Sequence, residues 1–169
     1  MTGPDRVDVY VSAGSNIEPE KNLRLACAEL KKLSCPLSRS SVYRTQAIGF
    51  DGNDFLNMVI CFPTRLSLDE IITELQRIQA MSGRKPDASS FSSRTLDLDL
   101  LLYGEQVVDS SQISLPRADI LKYAFVLGPM AELAPGLRHP RSGKTMGELW
   151  AKFDRSGQTI QRLAESPLT

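Results

Sequence analysis

Residues 92–104 read SSRTLDLDLLLYG, a run of leucines that carries two acids two positions apart, just after an arginine. In a strand, residues two apart share a face. Leu96, Leu98 and Leu100 therefore point one way and Asp97 and Asp99 the other, with the two acidic positions about 6–7 Å apart at the backbone. A strand of this kind belongs to a sheet whose one face is packed and whose other face meets water or a ligand. Two carboxylates so placed can converge on a metal pair, and hard oxygen donors suit Mg²⁺, which takes one or two carboxylates together with substrate phosphates. Arg94, at the mouth of the strand, can hold a phosphate oxygen. Read by itself, Asp-x-Asp on a half-exposed strand is more often just the solvated side of a sheet.

Working outward, strands and helices alternate. VDVYVSAGS (7–15) alternates β-branched and polar residues and runs into Ala-Gly-Ser-Asn, which predicts a strand ending in a turn at about Gly14. EPEKNLRLACAELKKL (18–33) repeats Leu23, Ala26, Cys27, Leu30 and Leu33 at helical spacing, with Pro19 and early glutamates suited to a first turn. SRSSVYRTQ and DFLNMVICFPT are two strand-like runs joined by the turn formers of AIGFDGN, so they should pair as a hairpin with a long loop. LSLDEIITELQRIQAMSGR supplies Ser67 as a cap and Ile71, Ile72, Leu75, Ile78 and Met81 as one face, and closes at Gly83. The polar loop KPDASSFSS then delivers the chain into the acidic strand.

The order β-α-β-β-α-β is the split βαβ, or ferredoxin-like, arrangement of an α/β (α+β) protein, with helices on one sheet face and the other left for a ligand. EQVVDSSQIS adds a short strand, and the tail reads as helical over ADILKYAFVLGPMAEL, interrupted at Pro129, and again over TMGELWAKF. A length of 169 residues, 41% hydrophobic and 24% charged, suits one domain over residues 1–169.

Twenty basic residues balance twenty acidic ones, so no overall positive field points to nucleic acid or an anionic membrane. Any phosphate chemistry must rest on a local cluster. Cys27, Cys35 and Cys61 show no metal spacing and read as reduced thiols. The N-terminal residues lack the order of a signal peptide, and no stretch has the length of a membrane span, so a cytoplasmic location is expected.

The acidic strand, together with VSAGSN, YRTQAIG, DFLNMVI and LAPGL in this order, resembles the 6-hydroxymethyl-7,8-dihydropterin pyrophosphokinase family over about residues 7–153. The resemblance implies the same ferredoxin-like fold and an ATP-dependent diphosphotransferase of folate biosynthesis. Such an enzyme moves the β,γ-diphosphoryl group of ATP to the pterin hydroxymethyl group and releases AMP. By resemblance Asp97 and Asp99 hold two Mg²⁺ ions. Phe55 and Phe125 stack the pterin, Asn57 reads its edge, and the segment from Thr45 to Ile48 completes that recognition. Gln76, Arg84 and Arg94 face ATP, with Arg84 and Arg94 joining the aspartates in catalysis.

Both substrates, ATP and reduced pterin, are small molecules, and a monomer or weak homo-oligomer is expected. Phe125 reads equally as a core aromatic, and Gln76 and Arg77 as the solvated side of a helix. The loop 85–93 has the composition of a lid over phosphates.

The chain departs from the family pattern at phosphate-facing positions. Phe91 stands where an indole is common, Arg117 where a histidine stands, Ala118 beside it, and Tyr123 in place of a later arginine. Arg117 is therefore a candidate ATP contact. Lys122 could replace the lost charge, although one residue along a helix turns the side chain by about 100°. His139, in GLRHP, lies outside the motifs and reads as a surface or internally satisfied histidine. Two other readings fit the same residues: a paralogue that binds pterin or nucleotide without transfer, and a ferredoxin-like interaction domain.

Overall fold

The computed structural model describes residues 5–46, 52–83 and 96–168. The elements follow in the order β1 (Val7–Ser15), α1 (Pro19–Leu33), β2 (Ser38–Arg39), β3 (Tyr43–Thr45), β4 (Phe55–Thr64), α2 (Leu68–Met81), β5 (Asp97–Tyr103), β6 (Val108–Asp109), β7 (Ser114–Leu115), α3 (Asp119–Lys122), α4 (Ala124–Leu133), α5 (Met146–Ala151) and β8 (Gln161–Arg162). The main sheet runs β5-β1-β4-β3-β8, with β2 alongside β4, and all its pairings are antiparallel. The strands of the βαββαβ unit thus lie in the order fourth, first, third, second, as the ferredoxin-like reading requires. β6 and β7 pair only with each other, so the expected extra strand is a separate small hairpin.

The first face of the sheet is closed by α1 and α2. Val9, Val11 and Ala13 of β1, Leu56, Met58, Ile60 and Phe62 of β4, and Leu98 and Leu100 of β5 meet Leu23, Ala26 and Leu30 of α1 and Ile71, Leu75 and Ile78 of α2. Each of the larger side chains among them, taken fully from water, contributes about 1.5–3 kcal/mol. Ser67 caps α2 by accepting from the Glu70 amide at 3.2 Å. Arg77, one reading of which was a solvated face, instead bridges the helices, reaching Glu74 at 2.7 Å and the buried Glu29 of α1 at 3.2 Å.

The second face is divided. Tyr10, Val59, Leu101 and Leu102 lie beneath Ile120, Val126, Leu127 and Met130, so the C-terminal helices cover one half of it. The other half, at the β5 N-terminus, carries Asp97 and Asp99.

Two local expectations are corrected. Pro129 does not interrupt the C-terminal helix but sits within α4, and the break falls at Tyr123, whose backbone is extended. Burial of Val126, Leu127, Met130 and Ala131 outweighs the missing N–H of Pro129, and the preceding Gly128 is the residue least restricted by a following proline. Gly14 lies inside β1, which runs on to Ser15, so its glycine serves close approach rather than a turn. At the C-terminal end β8 adds to the edge of β3, pairing Arg162 with Tyr43 and Gln161 with Arg44.

Candidate active site

The register across β4, β1 and β5 builds the site in rows. Asn57 stands opposite Gly14, and Gly14 opposite Asp97; one row on, Val59 faces Ser12 and Ser12 faces Asp99. Neighbouring strands lie about 4.8 Å apart, so Asn57 and Asp97 are separated by roughly 10 Å, with a glycine as the floor between them. An amide is thereby set at one end of a shallow floor and a carboxylate pair at the other.

Asn57 is buried, 4% exposed, and its amide donates to Thr45 Oγ1 at 2.9 Å. Thr45 pairs with Phe55 across the β3–β4 ladder, so Thr45, Phe55 and Asn57 cluster at one end of the sheet. A Cβ on Gly14 would lie 2.9 Å from Asn57 Oδ1, which means that only glycine lets the amide occupy this place. The adjoining loop is pinned from below: Asn22 donates to the Ile17 carbonyl at 2.7 Å, and Asn16 to the Asn53 carbonyl at 3.2 Å.

Asp97 and Asp99 are half-buried on the open face, as the alternation predicts. Leu98, between them, donates its amide to Gln79 Oε1 at 2.8 Å, so α2 holds the outer edge of β5. Gln76 lies three residues earlier, on the same side of α2, and is exposed there.

Arg117 enters from the segment before α3, where its amide bonds to the Leu101 carbonyl at 3.0 Å. Its guanidinium meets Asp99 at 3.5 Å and Asp119 at 3.0 Å. Burial works against the charge, yet Asp99, Asp119 and Asp97 together hold the guanidinium pKa above its usual value.

Two carboxylates on one face are oxygen donors of the kind a hard divalent ion takes. Among the described residues no group of three or more His, Cys, Asp or Glu side chains could hold a metal by itself, so further donors would be water and substrate phosphate.

Phe125 is half-buried and stacks on Tyr123, with ring centroids 5.0 Å apart and planes at 22°. Lys122 does not join Arg117. Its ammonium lies 5.3 Å from the centre of the Tyr123 ring, and it lines a separate cavity of ≈420 Å³ with Lys144, Lys152 and Phe153. His139 is 2% exposed and accepts at Nδ1 from the Arg141 and Ser142 amides, both at 3.2 Å, so it is internally satisfied. Burial, with the nearby Arg141, lowers its pKa. Cys27, Cys35 and Cys61 are free. Ile48, Arg84 and Arg94, with Phe91 and the loop 85–93, lie outside the described residues.

Sequence reasoning missed Gly14, Ser12, Asn16 and Gln79. VSAGSN carries the first three, but its glycine has the same letter whether it makes a turn or a floor.

Fold and site together define an α+β enzyme with paired carboxylates on an open sheet face. The family model of 7,8-dihydro-6-hydroxymethylpterin-pyrophosphokinase (HPPK) matches residues 10–135, and the chain belongs to that family. It is 37% identical over 161 residues to the 2-amino-4-hydroxy-6-hydroxymethyldihydropteridine pyrophosphokinase of Pseudomonas aeruginosa, covering 92% of this chain and 96% of that one. The Synechocystis protein of the same name is 36% identical, covering 85% and 75% respectively. Among solved structures, the wild-type HPPK-DHPS of Plasmodium falciparum superposes with a TM-score of 0.68 over 88% of this chain at 9% identity. This chain spans 45% of that longer one, and the likeness speaks to the fold. No helix among the described residues is long and apolar enough to cross a membrane.

Proposed function

We propose that the open end of the sheet is where this chain carries out the family's reaction, with each substrate held by the residues assigned above. The reaction moves pyrophosphate from ATP to 6-hydroxymethyl-7,8-dihydropterin in folate biosynthesis. The pterin hydroxyl oxygen bonds to the β-phosphorus, the bridge to the α-phosphorus breaks, AMP leaves with the bridging electrons, and the hydroxyl proton passes to solvent. The observation that carries this reading is the row Asn57–Gly14–Asp97, an edge-reading amide and a phosphate-side carboxylate joined by a side-chain-free floor.

Asn57 reads the pterin edge with its amide oriented by Thr45, while Phe55 and Phe125 cover the ring faces and Ile48 completes the contact. Asp97 and Asp99 would hold two Mg²⁺ ions, and the chemistry such ions would supply when bound is stabilisation of negative charge on the phosphate oxygens. Arg117 brings a permanent cation to the same end, and Arg84, Arg94 and Gln76 hold the nucleotide. No protein base is required, because holding and charge stabilisation are the bulk of the work in such a transfer. All these residues come from one chain, which acts in the cytoplasm as one domain and needs no second copy.

Purified protein given ATP, Mg²⁺ and the reduced pterin alcohol should release AMP. Asp97→Ala and Asp99→Ala should each lose at least about a hundredfold of that turnover, as for loss of one or more strong electrostatic contacts, while circular dichroism stays native. Near-normal AMP production by either variant at low millimolar Mg²⁺ would refute the metal assignment, and saturable pterin binding without AMP would point to the non-catalytic paralogue.

A further inference from the structure

Beyond residue 135, where the family match ends, the chain continues through α5 to β8, and Gln158 lies between those two elements. Its side chain makes two hydrogen bonds to distant backbone. Oε1 accepts from the Ala124 amide at 2.8 Å, and Nε2 donates to the Lys122 carbonyl at 3.1 Å. These are the groups on either side of Tyr123.

Tyr123 is at once the C-cap of α3 and the N-cap of α4, with φ −121° and ψ 129°, and α4 has no side-chain cap of its own. A helix start leaves its first amides without partners, and a serine, threonine or aspartate at the N-cap ordinarily fills that place. A tyrosine has no oxygen within reach of the backbone. Gln158 supplies an acceptor for the first amide of α4, that of Ala124, from 34 residues away and, with its other end, ties down Lys122, the last residue of α3.

One side chain thereby fixes the angle between two helices at the residue where they meet. That angle sets how Tyr123 and Phe125 leave the backbone, and the two rings stack on each other. The segment bearing Gln158 is itself anchored on both sides. Ile160 and Trp150 lie so close to Gly128 of α4 that an added Cβ would meet them at 3.0 and 3.1 Å. Arg162 reaches Glu132 at 3.3 Å and Ser41 at 3.0 Å.

We propose that Gln158 is a positioning residue for pterin binding, which acts by holding the Tyr123–Phe125 pair at the angle that offers Phe125 to the ring. This rests on Phe125 as a pterin-stacking residue. The hydrogen bonds of the Gln158 side chain go to the backbone on either side of Tyr123, so its effect should reach the pterin through Phe125.

The test compares Gln158→Ala, Gln158→Glu and Phe125→Ala in the full-length protein, by steady-state kinetics and by calorimetry with the pterin alcohol and an unreactive ATP analogue. Gln158→Ala should raise the pterin KM and Kd about five- to tenfold, the scale of one lost capping contact. ATP KM should change by less than about twofold, as should kcat, since no group that meets ATP is touched. Gln158→Glu keeps the acceptor for Ala124 but loses the donor to Lys122, and should fall between wild type and Gln158→Ala; it also decides the matter if the alanine variant does not fold. A role in stability alone would lower Tm and leave the pterin KM in place. Pterin affinity unchanged in the folded Gln158 variants, with Phe125→Ala weakened, would overturn the inference and leave the stacking assignment standing. Pterin affinity unchanged in Phe125→Ala would overturn the stacking assignment and this inference with it.

Discussion

Gly14→Ala adds a single methyl group to the floor of the site, and the geometry says what it will meet. The new Cβ would lie 2.9 Å from Asn57 Oδ1, closer than such atoms approach, while the next neighbour, the Leu56 carbonyl oxygen, is at 3.9 Å. The clash is therefore with one atom. Asn57 cannot simply swing away, because it is 4% exposed and its amide is engaged with Thr45 at 2.9 Å. Relief requires the amide to move by several tenths of an ångström, which strains the Thr45 bond and displaces the group proposed to read the pterin. Overpacking of this kind costs about 1–3 kcal/mol. If the displaced amide loses its pterin contact, affinity falls by roughly ten- to a hundredfold.

A double-mutant cycle separates the methyl from the amide. In an Asn57→Ala background the clash is gone, and Gly→Ala in an extended strand should then stabilise by about 0.4–1 kcal/mol through the unfolded chain. The sign of the Gly14→Ala effect on stability should thus reverse, read as the midpoint of urea unfolding with m unchanged. Calorimetry should show pterin affinity lost in Gly14→Ala and ATP-analogue affinity kept. A Gly14→Ala protein with pterin affinity within twofold of wild type, or with the same stability change in both backgrounds, would show that the amide has room and that the floor argument is wrong.

Arg117→Ala removes the one described cation at the carboxylate pair and should lower turnover by about tenfold or more, with pterin affinity within about twofold; because a guanidinium stays charged at every working pH, the ratio of wild-type to variant turnover should be flat from pH 6 to 9. A ratio near one would place Arg117 outside the phosphate contacts. His139 gives a pH effect on stability rather than on catalysis. Its folded pKa is lowered, so the unfolded chain takes up the proton first: stability is at its full value above the unfolded pKa of about 6.5 and declines as pH falls below it toward the folded value. His139→Asn keeps an acceptor for the Arg141 and Ser142 amides and, since this is the chain's only histidine, should flatten urea midpoints between pH 7.5 and 5.5; equal slopes in the two proteins would refute the assignment.

What was legible in the sequence is what period and punctuation encode. Alternation in VDVYVSAGS and RTLDLDLLLYG gave strands, and the 3.6-residue period of residues 68–81 gave the best-defined helix. Their order gave the sheet. The same alternation put Phe55, Asn57 and Val59 on one side, and Asp97 with Asp99, as the ladders show. What could not be read depends on contacts between residues far apart in the chain. Nothing local distinguishes Arg77 on a wet face from Arg77 reaching Glu29, 48 residues away. Pro129 reads as a breaker because propensity cannot weigh the burial around it. Gln158 is one glutamine in a polar tail until α3 and α4 are placed against it.

The two acids in a leucine strand find their reason in where the C-terminal helices stop. Along the second face the rows run from Gly14, Asn57 and Asp97, through Ser12, Val59 and Asp99, to Tyr10, Cys61 and Leu102. In the last row Tyr10 and Leu102 are buried beneath α3 and α4 with Cys61 partly buried beside them, and the first two rows carry the carboxylates. The ladder shifts register between Tyr10 and Val11, where Leu101 is the extra residue. Leu101 and Leu102 can therefore both join the second core, whereas strict alternation would send one of them to the opposite face. The shift deepens the apolar half of the face without moving the acidic half. A carboxylate one step further along β5 would lie under α4, where burial without a paired cation costs several kcal/mol. At its actual place Asp99 is 29% exposed on its side chain and meets Arg117, whose backbone is held by the carbonyl of that same Leu101. The bulge thus marks the boundary between the half of the face that packs under the C-terminal helices and the half that carries the carboxylates, and Arg117 meets Asp99 at that boundary.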